Sequence, residues 1–224
     1  MAIKFADLKG KASKSGPPRM KLQDGENRFR IVSGVVPGYK YWVKSKDGTS
    51  IPIDCLGFNK ETEEFDNKTK DWVKHFFPGK NCSWAYTSFV IDRADNKLKI
   101  LDHKKKLLGQ IISAAEKKFG DPSDPEEGWD IIATRKKTGP KIFDVEYTLE
   151  VFDIDPAPLS AEDKELLVEM PDIEEFLKSP TPEVQKEFIE KYILGDGDDK
   201  EDEDEVPKEF GQNAPTGSED DIPF

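Results

Sequence analysis

WAYTSFVIDRADNKLKILDHKKKLLGQIISAAEKKFG, residues 84–120, reads as strand, turn, strand and helix in one pass. Residues 84–91 are aromatic and β-branched. Residues 92–96 gather Asp92, Asp95 and Asn96 into a turn, and residues 97–101 return to apolar character, so the two runs form a hairpin. Leu108, Ile111, Ile112, Ala115 and Phe119 then recur at helical spacing, with Gly120 as a stop and Pro122 just beyond.

Strand signals extend outward on both sides. Upstream, residues 27–32 alternate Arg28 and Arg30 against Phe29 and Ile31. Residues 39–44 set Lys40, Trp42 and Lys44 against Tyr39, Tyr41 and Val43. A third run covers 51–58, followed by a polar, turn-rich excursion over 59–70. Downstream, residues 129–135 and 142–152 bracket Lys136, Lys137, Thr138, Gly139 and Pro140 as a closing hairpin, with Trp84, Phe89, Phe143, Tyr147 and Phe152 expected in the core. Strands, one helix and a final hairpin predict a mainly β fold with accessory helices: an OB-fold, the five-stranded, partly open Greek-key barrel.

Charge divides the chain. The whole carries −12, which by itself argues against a polyanionic partner. Residues 1–155, however, hold 28 basic and 24 acidic groups, and within them residues 1–46 reach +8. Residues 156–195 hold four basic and ten acidic groups, and residues 196–224 two and twelve. Such an acidic, apolar-poor end is expected to be disordered. The divisions are a basic N-terminal arm (1–20), a core (21–155), an acidic helical segment (156–195) and a disordered acidic tail (196–224). The helical segment opens on a Ser160/Asp163 capping box and has a second helix over 181–194. The tail ends Asp220-Asp221-Ile222-Pro223-Phe224, where a main-chain carboxylate adds charge beside an apolar anchor. Two cysteines make no disulfide framework, no signal peptide opens the chain and no apolar run matches a membrane span, so a cytoplasmic protein is expected.

Cations beside aromatic rings are what a single strand of nucleic acid needs, phosphates meeting the charge and unpaired bases the ring faces. Lys40, Trp42 and Lys44 supply both on one strand face, and Arg28 and Arg30 share a face of the strand before it. Trp72, Phe76 and Phe77 with Lys80 form an aromatic, basic cluster, and Arg135, Lys136 and Lys137 crown the closing hairpin. Lys104, Lys105 and Lys106 stand at the start of the helix, where the macrodipole disfavours cations by roughly 0.3–1 kcal/mol. These residues are the candidate DNA contacts. The bland readings are that the helix starts elsewhere or that Asp102 neutralises the three lysines.

Other chemistry is poorly supported. Cys55, His75, Cys82 and His103 lack the close ligand pairs of structural zinc, so no metal and no cofactor is expected. No phosphate-binding glycine loop and no nucleophile elbow is present. Glu162, Asp163 and Lys164 have a nuclease-like order but sit in an acidic helix without a partner carboxylate in register. No enzyme is expected.

Residues 24–32, the strand at Trp84 and Ala85 running into Asp92, the turn, the 97–101 strand, the Lys-rich helix and the strand anchored by Trp129 together resemble the single-stranded-DNA-binding proteins of tailed phages, including the T4-type helix-destabilising protein. The likeness spans about residues 22–155. It implies an OB-fold, sequence-independent binding of single strands in replication, recombination and repair, and an acidic tail that regulates access to the DNA. Members of the T4 type also carry a zinc cluster and a basic arm that contacts a neighbouring subunit. The close cysteine pair is missing here, and no motif match carries the arm's role to Lys9, Lys11 or Lys14. The Asp220–Phe224 ending is similar to that of bacterial single-stranded-DNA-binding proteins, whose tip recruits replication and repair enzymes. The expected partners are single-stranded DNA, duplex DNA once the tail is removed, and replication and repair proteins at the tip, with self-association along the strand left open. The alternative is an acidic interaction or chaperone-like protein that never touches DNA.

Overall fold

The structure, a computed structural model, describes residues 16–195 except 142, 143, 152, 153 and 169. The first half runs β1 (Gly25–Ile31), β2 (Tyr39–Lys44), β3 (Ser50–Asp54), α1 (Trp72–Phe76), β4 (Ser83–Trp84), β5 (Thr87–Asp92) and β6 (Lys97–Asp102). It continues with α2 (Lys105–Ala114), which passes into a π-helical turn, Ala115–Phe119, and then β7 (Ile131–Lys137) and β8 (Val145–Leu149). Three helices follow: α3 (Ala161–Val168), α4 (Ile173–Phe176) and α5 (Pro182–Phe188), the last extended by a π-helical stretch, Ile189–Leu194.

Two antiparallel sheets organise these elements. The larger has the order β6-β5-β1-β7-β8, the smaller β3-β2-β4. All six residues of β5 are buried, because both faces of the strand are covered; its polar members Thr87, Ser88 and Asp92 are each hydrogen-bonded, to Asp102, His103 and Lys99. On one face Phe29, Ile31, Val90, Leu101 and Ile131 meet Leu107 and Ile111 of α2. On the other, Phe89, Ile91 and Ile100 meet Leu159, Ile173 and Leu166 of the C-terminal helical region. The smaller sheet buries Tyr41, Val43 and Ile53 against Val73 of α1 and Phe188, Ile189 and Ile193. The acidic helical segment therefore packs on both sheets of the body. Its capping box forms, with Asp163 N–H donating to Ser160 Oγ at 3.0 Å.

The 84–91 run is not a single strand. Its first residue pairs with β2 and its latter part with β1 and β6, and Ala85 and Tyr86 turn the corner between sheets. Ala85 N–H donates to the Gly38 carbonyl at 2.9 Å. A Cβ on Gly38 would lie 3.2 Å from the Ala85 oxygen, so glycine admits the two backbones to each other.

Both edges of the larger sheet are occupied. The chain at Pro18–Met20 lies along β6, through Met20 N–H to the Ile100 carbonyl and Ile100 N–H to the Pro18 carbonyl. At β8, the Gln110 side chain accepts from Leu149 N–H at 2.7 Å and donates to the Tyr147 carbonyl at 3.0 Å. A side-chain amide thus takes the hydrogen bonds that a further strand would make. Helix α2 buries Leu107, Leu108 and Ile111, whereas Ile112, expected inward, is 49 % exposed. Trp129 is fully buried and donates its indole N–H to the Gly120 carbonyl at 3.0 Å. Tyr147 packs half-buried on the same core. The expected core residues Phe143 and Phe152 lie outside the described residues, as do the basic arm through residue 15 and the acidic tail.

Candidate nucleic-acid interface

Strand β2 alternates as its sequence predicts. Tyr41 and Val43 point into the core, 1 % and 3 % exposed, while Lys40 and Trp42 are half-buried and Lys44 exposed on the opposite face. Strand β3 backs this face. Trp42 lies across from Pro52, Lys44 from Ser50, and Lys40 from Asp54, to which its Nζ is paired at 3.5 Å.

A second cluster assembles on α1. Asp71 caps the helix, accepting from Val73 N–H, and with its other oxygen accepts from Leu56 N–H, both at 3.0 Å. Trp72 stacks on Phe76 with ring centroids 5.7 Å apart. Lys70 Nζ lies 3.6 Å and Lys186 Nζ 5.1 Å from the Trp72 ring centroid, the second reaching across from α5. Trp72 N–H donates to Gln185 Oε1 at 2.8 Å, and Gln185 Nε2 donates to the Asp54 carbonyl at 2.9 Å. Fully buried Gln185 thus fastens α1 to β3. Phe77 and Phe76 are half-buried against the core, and Lys80 is exposed.

The third cluster joins the start of α2 to the small sheet. Trp84, expected in the core, is half-buried instead. Its ring stacks on Tyr86 at 3.5 Å and 10°, and its indole N–H donates to the His103 carbonyl at 3.0 Å. Lys105 Nζ sits 5.4 Å from the Trp84 ring, and Tyr39 meets that ring edge-on at 6.2 Å. The helix does begin at these lysines: Lys104 is its N-cap residue without a side-chain capping bond, and no acid stands in the first turn. Asp102 does not neutralise them, because its carboxylate is engaged by the Arg19 guanidinium and by Thr87 Oγ1. Burial pushes the Asp102 carboxyl up, but Arg19 and Lys40 outweigh it and hold the group below its ordinary value.

Two arginines have other work. Arg30 is 2 % exposed and donates through Nη2 to the carbonyls of Asp124 (2.9 Å) and Ala157 (3.0 Å), so it is an internal tie and not a surface cation. The alternation of β1 does place it beside Arg28, but the 121–130 loop and the chain leading to α3 cover that part of the face. Arg28 is exposed and paired with Asp130 at 3.0 Å. Arg93 bridges Asp130 and Asp163. Asp163 is thereby consumed and Lys164 pairs with Glu126, so the nuclease-like triplet forms no joint site.

Arg135 pairs with Asp24, and its residue lies across from Gly25, at the end of β1 remote from β2. Exposed Lys136 and Lys137 continue that strand end. By strand rise, β1 separates them from the β2 branch by about 20 Å. The structure therefore groups Lys40, Trp42 and Lys44, groups Trp72, Phe76 and Phe77, adds Lys105 to Trp84, and leaves the β7 cations apart. Asp220, Asp221, Ile222, Pro223 and Phe224 lie outside the described residues. Sequence reasoning missed Tyr39, Tyr86, Lys70, Lys186 and Gln185; the last two sit in the acidic segment, where nothing local marks them.

Of the four soft ligands, Cys55 and Cys82 meet, while His75 and His103 lie elsewhere. His103 is buried and its Nε2 shares a 2.7 Å hydrogen bond with Ser88 Oγ; burial lowers its pKa to about 4. His75 is exposed on α1. Cys55 donates to Tyr41 Oη at 3.3 Å, and its contact with Cys82 holds the Cys82 thiol below its ordinary value. Among the described residues, no group of three metal-ligating side chains occurs, and no helix is long and apolar enough to cross a membrane.

No established family profile matches the chain. It is similar to the probable ssDNA-binding protein of Escherichia phage T5, 32 % identical over 238 aligned positions that cover 87 % of each chain. At that identity and coverage, the chain belongs to the same family as the phage T5 probable ssDNA-binding protein.

Proposed function

We propose that this protein binds single-stranded DNA without regard to sequence, in phage DNA replication, recombination and repair in the host cytoplasm. The observation that carries the reading is the outward face of β2, where Lys40, Trp42 and Lys44 alternate against a buried Tyr41 and Val43, in a chain whose phage T5 relative is named for ssDNA binding. The rings at Trp72 and Trp84, each with a lysine over it, extend the same chemistry, and Lys104, Lys106, Lys136 and Lys137 follow the phosphates beyond it. The order β6-β5-β1-β7-β8, with α2 between β6 and β7, supports the OB class, with the β2–β4 sheet inserted after its first strand.

The acidic tail, residues 196–224, regulates access to this face and recruits replication and repair proteins through Asp220–Phe224. Its point of departure supports that role: Lys46 Nζ, in the turn between β2 and β3, donates to the Gly195 carbonyl at 3.2 Å. The tail therefore leaves the body beside the hairpin that carries the candidate face. Duplex binding emerges when it is removed, and copies line up along the strand.

Tryptophan emission tests the reading. Adding thymidine oligomers to the full-length protein quenches the indoles with saturation. Replacing Trp42 by Ala together with Lys40 and Lys44 by Glu abolishes complex formation in a gel shift while the fold is kept. If those changes left binding intact, the β2 face would not be the interface; if no oligomer bound the native protein, the function itself would be wrong.

A further inference from the structure

Two ammoniums share the Trp72 indole. Lys70 Nζ lies 3.6 Å and Lys186 Nζ 5.1 Å from its ring centroid, although like charges brought to one ring repel each other. Phe76 stacks on the same ring at 5.7 Å, and His75 meets it edge-on at 5.2 Å. The indole is thus surrounded by side chains of its own protein, unlike Trp42 on the outward face of β2. What it offers a strand is its hold on cations, not a vacant face. Covering the ring against water needs only the lysine stems, whereas here both charged nitrogens are placed over it.

The backbone fixes this gathering. Trp72 N–H donates to Gln185 Oε1 at 2.8 Å, which sets the next residue of α5, Lys186, beside the ring. Lys70 directly precedes the capping residue Asp71, whose two carboxylate oxygens accept from Val73 N–H and Leu56 N–H. That carboxylate is spent on the backbone, and among the described residues Lys70 forms no ion pair. Lys186 pairs with Glu190 at 3.4 Å, one turn on; an exposed pair of this kind contributes little and yields to a stronger anion. Ammoniums already held on a ring also lose less freedom when they take up an anion. The pair lies on the way out of the β2 face. Gln185 Nε2 donates to the Asp54 carbonyl at 2.9 Å, and Asp54 lies across from Lys40. Because β3 is the edge of its sheet, a strand leaving Lys40 crosses one interstrand spacing of about 4.8 Å before it reaches α1 and α5.

We infer that Lys70 and Lys186 form a phosphate-binding site for single-stranded DNA at the β3 edge, with Trp72 as the residue that orients them. The site rests on the proposed function and extends it. The strand leaving the β2 face places a phosphate by the two ammoniums and relieves their repulsion, and Glu190 gives up Lys186. The helical segment over 156–195, with four basic and ten acidic groups, thereby takes a direct part in holding DNA through one lysine of α5. Trp72 is a positioning residue here, since it acts through the lysines and does not touch a base.

Titrations of the full-length protein with thymidine oligomers across a salt series test the site. Lys70→Gln/Lys186→Gln removes two phosphate contacts, so the slope of log affinity against log salt flattens by about 1.4, and Lys186→Gln alone flattens it by about 0.7. The thermal midpoint stays native in both. Lys70→Arg/Lys186→Arg, which keeps the charges and their attraction to the ring, keeps the native slope. Trp72→Leu weakens binding in the native chain but costs no further affinity in the Lys70→Gln/Lys186→Gln chain. A native protein that binds no oligomer sinks the proposed function and this site with it. Native affinity and slope in the doubly substituted lysine variant overturn the site and leave that function standing. A Trp72→Leu loss as large in the lysine variant as in the native chain makes the indole a stacking surface and overturns its orienting role.

Discussion

At the scale of single residues, Trp42 and Arg30 make opposite predictions although both were candidate contacts. Trp42 lies on the outward face of β2, so Trp42→Ala removes a stacking surface worth about 1–3 kcal/mol per base. Affinity for thymidine oligomers falls roughly 5- to 150-fold, read by fluorescence titration, while the melting temperature changes little. Arg30 is interior, and replacing it with Leu strands the carbonyls of Asp124 and Ala157, at a cost of about 1–3 kcal/mol for each group left unpaired. Denaturant unfolding registers that loss, and the salt dependence of DNA binding stays as it was. His103 makes a third prediction. Burial depresses its pKa from 6.5 to about 4, so between those values the unfolded chain binds a proton that the folded chain refuses. Stability is therefore full above pH 6.5 and declines as pH falls towards 4, by on the order of 3 kcal/mol. His103→Asn flattens that part of a stability–pH curve; an unchanged slope would mean that other groups carry it.

Among the elements, helix α2 exchanges stability for charge. Lys105 stands in its first turn with no acid nearby in that turn, and its ammonium sits over Trp84. Lys105→Glu should raise the thermal midpoint, since reversing the charge removes an unfavourable dipole interaction and adds a favourable one, each roughly 0.3–1 kcal/mol. The same change weakens DNA binding, most at low salt. A variant that gained stability and lost no affinity would make the lysine a solvated charge and nothing more. The position of this helix was legible from the 3.6-residue recurrence and from Gly120, and β2 from its alternation, because both signals are local. The division of residues 84–91 between two sheets was not, because whether Trp84 joins β2 or β1 depends on partners distant in sequence. Gln185 shows the same limit: a polar residue in an acidic helix becomes the buried clip between α1 and β3 only once α5 lies on the small sheet. The exposure of Ile112 has a related cause, since the faces that α2 buries are set by both cores it touches.

For the whole molecule, charge asymmetry decides how the parts compete. The first 155 residues carry +4 and the last 29 carry −10, and the boundary at Gly195 is tethered by Lys46 next to the face that bears Lys40, Trp42 and Lys44. Under the proposed function, a polyanion starting there would compete with a polyanionic ligand for the same cations, and such competition is strongest where screening is weakest. Deleting residues 196–224 should therefore tighten binding to thymidine oligomers at low salt and alter it little at high salt. Each phosphate contact contributes about −0.7 to the slope of log affinity against log salt for single strands. The tail displaces counterions of its own, so the full-length slope is shallower than the number of phosphate contacts alone would give, and deletion steepens it. Titrations across a salt series with both proteins measure this directly, with duplex DNA as a second ligand that only the shortened protein should bind. Equal affinities and equal slopes would show that the tail does not meet the DNA face, and would leave it a role towards proteins alone.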